Sequence, residues 1–566
     1  MRSRCCVVVW MLALLAPMAS AGAEWRVWAI KDTRRVLREE PAGSGTAVNL
    51  AAARNECRSF QILMRSAAPI EGVNIEPGDL IGPGGSVLPA AKARLFRQHQ
   101  LELTTGSYRN DAFQPGWYPD PLIPFRHPLS NEPLHGARLV AVPFTLPANQ
   151  THGFGVDIYV PGGTRPGKYQ GSYRVTAADS TSVTIPVTLV VWNFDLPPVA
   201  TLQTAFGSPA ERMRAYYQRR AKEGKEQAPT DWAAIDAQCA QMLCEHRINA
   251  SPLGSLAPVA QGDGTFRIPR EQIDALRQFV DRYHVNAVCT AHPRSVVKDP
   301  EREPQKLRAW LAAWDRAAAE LGRPQLLLYT YLKDEPNEEE AYRYVQQWGR
   351  AIRQSHGVVK VLVVEQTLTQ NPAWGDLYGA VDIWCPLFCL HDQPTAAPRQ
   401  ALGETIWTYT ALCQGKQPSP WWQIDFPLLN YRVPTWIAWV YGMRGLLYWG
   451  GMSHWNQVDD PWTDPKTFDR RKAGRKDPLY NGEGTLVYPA RTVGYEGLAP
   501  SLRLKALRDA VEDYEYLAIL QRRGLAAEAE RIVRPLATSF FQWNPDPAAY
   551  ETAREKLAEL ILAAQK

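Results

Sequence analysis

The sequence predicts a multidomain protein of mixed β and α/β class. An N-terminal antiparallel β-sandwich precedes a central (β/α)8 TIM-like barrel, and a C-terminal helical segment closes the chain. Three observations carry this expectation. A chain of 566 residues exceeds one ordinary hydrophobic core. Its first third alternates short strands with Gly/Pro turns at a period of two. After Pro198 apolar strands alternate with amphipathic helices, which is the rhythm of parallel βα units.

The elements follow in chain order. Arg2 and Arg4 precede an apolar run from Cys5 to Met18, and Ala19-Ser20-Ala21 and Ala21-Gly22-Ala23 offer small-residue cleavage sites. Residues 1–23 therefore read as a secretory signal peptide, so a secreted or periplasmic protein is expected. No cysteine directly follows a cleavage site, and no later stretch is long and apolar enough to span a bilayer. Residues 24–198 hold the sandwich strands, among them FGVDIYVP (154–161), GKYQGSYRVTA (167–177) and SVTIPVTLVVWNF (182–194), and DLPP (195–198) is a stiff linker. Residues 199–500 supply eight barrel strands: 202–207, 247–252, 285–292, 325–335, 360–367, 381–387, 405–410 and 445–450. An open doubly wound sheet competes, but no glycine-rich phosphate loop follows the first strand. Residues 501–566 are helical throughout and are expected to pack on the barrel as a small closing bundle.

Composition removes several function classes. The net charge of +5 is small and both signs are interspersed, which argues against a nucleic-acid surface. Of nine cysteines, Cys5 and Cys6 lie in the signal; the other seven are scattered, and most read as core residues. Cys385 and Cys389 lack a second pair or nearby histidines, and the ten histidines show no ligand spacing, so neither metal nor cofactor is expected. The aromatic content points elsewhere. Twenty tryptophans and 23 tyrosines are many, and Trp407, Trp421, Trp422, Trp436, Trp439, Trp449 and Trp455 crowd one stretch. Some belong to the core, yet tryptophan near strand ends also suits the apolar C–H faces of sugars.

The most informative segment is LLLYTYLKDEPNEEE (326–340), in which an apolar strand ends in adjacent carboxylates, Asp334 and Glu335, followed by Pro336. Proline donates no ladder hydrogen bond and stops the strand. The pair thus sits at the carboxyl end of a strand, where α/β folds build their sites. Two carboxyls this close do not both ionise cheaply, and a proton donor beside a charged carboxylate suits glycosidic cleavage. The competing reading is that Asp334, Glu338, Glu339 and Glu340 only favour a helix N-terminus through its dipole. That explains the glutamates but not the pair. Lys333 adds a third charge, which either lowers the pKa of the acid or points to the helix layer.

LYTYLKDEP, QIDFPLLNYRVPTWIAWVYGMRGLLYWGGMSHWN (423–456), GEGTLVYP (482–489) and SLRLKALRDAVEDYEYL (501–517) follow one another in order. Together they resemble glycoside hydrolase family 123, which overlaps domain-of-unknown-function family 4091. RNECRSFQILMRS (54–66) and NQTHGFGVDIYVP (149–161) resemble that family's N-terminal sandwich. The resemblance implies a β-N-acetylgalactosaminidase-like enzyme whose substrate's own 2-acetamido group is the nucleophile, an exception to the two-carboxylate scheme. It implies Asp334 as the acid that orients the acetamido group and Glu335 as general acid/base.

Other strand ends supply candidate substrate contacts: Phe206, His292, Glu365, Tyr409, Asp425, Trp449, Trp455 and Asn456. Trp449 and Trp455 either stack on sugar or form a barrel-top cluster. Asp425 either binds sugar hydroxyls or pairs with Arg432, which itself reads as structural. Glu365 is a supporting partner or, in another mechanism, a nucleophile. His292 reads more readily as structural, as do Arg508, Glu512 and Asp513 on the C-terminal helix. A glycan is the expected partner; sugar epimer, linkage and oligomeric state stay open. The alternatives are a glycosidase acting on a sugar without an acetamido group, through a separate carboxylate, and a non-catalytic carbohydrate-binding barrel.

Overall fold

The computed structural model describes residues 25–565 apart from 32, 253–255, 413–416, 418 and 474–478. The expected signal peptide and Cys413 lie outside the described residues.

The N-terminal strands are β1 (Trp25–Lys31), β2 (Val48–Arg54), β3 (Glu56–Ser66), β4 (Ile70–Pro77), β5 (Arg94–Leu103), β6 (Gly116–Pro124), β7 (Phe144–Leu146), β8 (His152–Val160), β9 (Gly167–Thr176) and β10 (Ser182–Asp195). One sheet runs β1-β3-β8-β5-β6 and the facing sheet runs β2-β10-β9-β4-β7. Alternate residues such as Phe60, Ile62, Met64, Phe154, Val156, Tyr173, Val187 and Leu189 turn inward and form their shared core. The expectation of an antiparallel sandwich needs one correction, because β2 pairs with β10 in parallel. The chain turns sharply at Asn55, whose φ of 58° suits the short polar side chain, and passes from one sheet to the other. That corner sets the direction in which β2 runs.

Seven parallel strands form a nearly closed barrel: β11 (Gln203–Ala205), β12 (Ala287–Thr290), β13 (Leu327–Asp334), β14 (Lys360–Val364), β15 (Ile383–Trp384), β16 (Thr405–Thr410) and β17 (Gly445–Tyr448). Their order is β11-β17-β16-β15-β14-β13-β12. Tyr329, Leu362, Val364, Ile383, Cys385, Trp407, Tyr409 and Leu447 fill the interior. Leu328, Leu332, Val361, Val363 and Trp384 face the surrounding helices instead.

The eighth strand expected at 247–252 does not form a ladder in the described residues. Asparagine amides bridge the gap between β11 and β12. Asn249 Nδ2 donates to the Thr204 carbonyl at 3.0 Å and to Asn286 Oδ1 at 2.7 Å, and the Asn286 N–H donates to Asn249 Oδ1 at 3.0 Å. Asn286 Nδ2 reaches the carbonyls of Ala200 and Leu202. Beside this opening Cys289, in register with the inward Tyr329, is exposed rather than buried as expected.

The helices between the strands have plain local causes. Helix α5 (Glu339–Arg353) opens with Glu339 and Glu340 in its first turn and buries Ala341, Tyr342, Val345, Trp348 and Ile352 along one stripe. The C-terminal helices are not a peripheral bundle. Helix α8 (Leu502–Arg522) is buried at every residue from Leu502 to Leu520 and packs against β3, β6, helix α7 (Leu429–Val440) and helix α10 (Pro547–Ala563). It is the wedge between sandwich and barrel. The six described cysteines are free thiols, and no described helix is long and apolar enough to cross a membrane.

Candidate active site

The site gathers at the carboxyl ends of β13, β14, β16 and β17. Strand β13 reaches it through a β-bulge. Tyr331 is in register with inward Leu362, but the next pairs are Lys333 with outward Val363 and Asp334 with inward Val364. Leu332 and Lys333 thus face one residue of β14, and the bulge moves every following side chain to the opposite side. Lys333 takes the helix-facing register and Asp334 the inward one, which answers the question that Lys333 posed. The Glu335 N–H makes a last bond to the Val364 carbonyl at 3.1 Å, and Pro336 ends the strand.

Each carboxylate of the pair has its own phenol. Tyr331 Oη donates to Asp334 Oδ1 at 2.8 Å, and Tyr409 Oη, from β16, donates to Glu335 Oε1. Burial, then the neighbouring carboxylates, push both phenols well above their ordinary range, so they stay protonated donors. Glu335 has φ of 37°, a left-handed conformation seldom adopted by a residue of this kind. Asp334 is exposed and Glu335 half-buried, so both are within reach of a ligand.

Glu365 ends the neighbouring strand, where its two oxygens accept from Gln370 Nε2 at 3.0 and 2.9 Å. Burial pushes its pKa up to about 7, and the charge of Glu335 adds to the rise while Gln370 opposes it. Glu365 is thus a largely buried acid beside Glu335. Trp449, directly after β17, is half-buried and donates its indole N–H to Glu483 at 2.5 Å.

The remaining candidates separate from this cluster. Phe206 is fully buried against Trp422 and Tyr448 and is core. Trp455 is also fully buried, its N–H given to the Val487 carbonyl and its ring set on Tyr216. His292 stacks on Tyr344, contacts its hydroxyl at 3.0 Å, and accepts the Arg294 N–H, so both ring nitrogens are used. Asp425 does not pair with Arg432. It accepts from the Ser107 N–H and hydroxyl and from Asn110 Nδ2, tying the β5–β6 loop of the sandwich to the barrel mouth. Arg432 instead meets Asp513 and Glu551 in the buried interior. Asn456 is exposed in the turn after Trp455. Arg508, Glu512 and Asp513 are buried structural charges.

Sequence reasoning missed Tyr331, Gln370 and Glu483. Tyr331 lies two residues after the inward Tyr329, a spacing that could have marked it, but the bulge hid its relation to Asp334. Glu483 stood in the GEGTLVYP motif with no strand end to mark it. Among the described residues no group of three or more His, Cys, Asp or Glu side chains is arranged to hold a metal ion.

Comparison with known proteins adds to this geometry. Residues 318–520 match the family model described as glycoside hydrolase 123, catalytic domain, and the span includes Asp334, Glu335, Glu365, Tyr409, Trp449 and Glu483. No curated protein matches the sequence. Among solved structures, a family 123 glycoside hydrolase from Clostridium perfringens, studied for glycolipid glycan hydrolysis, superposes with a TM-score of 0.62. It shares 13% identity and covers 95% of this chain and 97% of its own. A xyloglucanase of glycoside hydrolase family 5 from Bacteroides ovatus aligns over 82% of this chain and 98% of its own, at 9% identity and a TM-score of 0.25.

Proposed function

We propose that this glycoside hydrolase, whose residues 318–520 match the family 123 catalytic domain, removes a terminal β-linked 2-acetamido sugar with retention. N-acetylgalactosamine is the favoured sugar, and the Clostridium perfringens relative makes a glycolipid glycan a reasonable carrier of it. Asp334 accepts the acetamido N–H and balances the charge of the oxazolinium ion as the acetamido oxygen attacks the anomeric carbon. Glu335 gives its proton to the leaving oxygen, then takes one from the water that opens the ring. Tyr331 and Tyr409 hold the two carboxyl groups through the hydrogen bonds described above.

The adjacent pair with its two phenols carries this reading. A retaining enzyme with its own nucleophile sets two carboxylates on opposite sides of the sugar, about 5 Å apart. Asp425 is occupied by Ser107 and Asn110, and Glu365 lies on the strand beside Glu335, so neither suits that part. Glu335→Gln is expected to lose about 10²–10⁴-fold in kcat on natural glycans, and less on activated aryl glycosides. Asp334→Asn is expected to impair acetamido substrates and to weaken a thiazoline mimic of the oxazolinium ion. A 2-fluoro sugar trapped covalently on Glu365 or Asp425 would replace this mechanism with the two-carboxylate one. Export follows from the Arg2/Arg4 and apolar pattern; an N-terminus at Gly22 or Glu24 in the secreted protein, read by mass spectrometry, is the expected product.

A further inference from the structure

Two glycine-flanked tips meet behind Trp449. Gly450 and Gly451 follow the indole at φ of 87° and 65°, and Gly482 and Gly484 flank Glu483 at 73° and 67°. A Cβ on Gly450 would lie 3.6 Å from the Gly484 Cα. A Cβ on Gly484 would fall 2.8 Å from the His454 Cβ and 3.3 Å from the Trp449 ring. Only glycine at 484 leaves room for both side chains.

Between the tips Glu483 is 1% exposed. Donors converge on it from separate segments: the Trp449 indole N–H at 2.5 Å, the Tyr448 hydroxyl at 3.4 Å, and Gln423 Nε2. The Tyr448 hydroxyl in turn accepts the Gly484 N–H at 2.7 Å, and Thr467 Oγ1 holds the Glu483 carbonyl. Arg503, whose charge reaches Glu483, forms its salt bridge with Asp120 instead. A buried acid with no ion pair is costly, and the mechanism proposed above gives this one no part. One of these donors belongs to an aromatic ring that stays half-exposed at the barrel mouth, braced edge-on by Phe468 at 5.7 Å and obliquely by His454 at 5.3 Å.

We propose that Glu483 is a positioning residue that fixes the Trp449 indole as the stacking plate for the terminal sugar, and so acts on sugar binding and not on bond cleavage. The inference rests on the glycosidase reading for the identity of the sugar. Its physical content is that a ring locked through its N–H loses no rotamer freedom when the sugar docks.

The test combines Glu483→Leu, Glu483→Gln, Trp449→Phe and the double variant Glu483→Leu/Trp449→Phe. For each, kcat and KM are measured on an aryl 2-acetamido glycoside, and the Kd of free N-acetylgalactosamine is measured by calorimetry. Glu483→Leu should raise KM and Kd up to about tenfold, the scale of one aromatic stack, with kcat within about twofold. Glu483→Gln keeps an acceptor for the indole and should restore most of the affinity. Trp449→Phe lacks the N–H and should add little further loss in the Leu background. Multiplying effects in the double variant, a fall in kcat at unchanged KM, or a Gln variant as weak as Leu would each overturn the proposal. If Glu483→Leu does not fold, Trp449→Phe and Glu483→Gln still decide it, since the first should lose affinity and the second should not. A wild type that binds the sugar in this pattern yet hydrolyses no acetamido glycoside refutes the catalytic reading alone; one that binds no sugar refutes the positioning role.

Discussion

At the scale of single residues, the strained backbone of Glu335 is the clearest mark of a site under constraint. A glutamate at φ of 37° costs about 1–3 kcal/mol, and such conformations persist where surrounding contacts over-determine them. Two of those contacts are visible: the Val364 carbonyl on the backbone and the Tyr409 hydroxyl on the side chain. Tyr409→Phe should therefore lower kcat about tenfold with little change in KM, because the acid loses its orientation before the sugar loses any contact. Steady-state kinetics on an unactivated glycoside checks this. Glu365 gives a pH prediction with a definite sign. Its pKa is raised, by burial first, from 4.5 to about 7, so between those values the unfolded chain has released a proton that the folded chain keeps. Its contribution is favourable below about pH 4.5 and is lost as pH rises toward 7. Glu365→Gln should then raise the melting temperature more at pH 8 than at pH 5, as calorimetry at the two pH values would show. Of the residues now gathered at the site, Asp334, Glu335, Glu365, Tyr409 and Trp449 were legible in the sequence because each stands at or just past the end of an apolar run. Phe206 and Trp455 satisfy the same rule yet are core, since position along a strand does not say which layer a side chain enters.

At the scale of elements, two departures from regularity shape the barrel. The bulge at Leu332–Lys333 turns Asp334 inward, and a pure alternation of period two cannot anticipate an inserted residue. Seven of the eight expected barrel strands are present among the described residues, and the missing one was legible only as an apolar segment. RINASP opens on Arg247 at φ of 56° and forms no ladder; it is tied to its neighbours through the side chains of Asn249 and Asn286, a pairing that hydrophobic pattern does not encode. Asn286→Ala removes partners from several buried groups at once and should cost about 2–3 kcal/mol, read from chemical denaturation. The exposed thiol of Cys289 beside the gap should become more reactive toward a maleimide in that variant if the barrel loosens there.

At the scale of the whole molecule, charges on α8 join the two β architectures. Arg503 meets Asp120 of β6, Lys505 and Arg508 meet Asp157 of β8, and Glu512 accepts the Cys57 N–H of β3. Asp513 and Glu551 in turn hold Arg432 of α7, and Arg554 of α10 reaches back to Glu56. Breaking one such pair strands a buried charge. Asp157→Ala, which leaves Lys505 and Arg508 uncompensated, should cost about 3–5 kcal/mol, and calorimetry of the wild type should show sandwich and barrel melting in one transition. The helicity of this segment and the structural part of Arg508, Glu512 and Asp513 were legible, but its place between the two β architectures was not, because the sandwich charges it meets lie hundreds of residues away in the sequence. Its position late in the chain also bears on biosynthesis. The sandwich leaves the ribosome first, carrying Glu56, Arg58 and Asp157, which have some partners among themselves and their neighbours but meet Glu551, Lys505 and Arg554 only when residues 501–554 arrive. The sandwich, although it has its own apolar core, is therefore expected to reach its full stability only once α8 has emerged, and a nascent chain arrested before α8 should be more protease-sensitive than the whole protein.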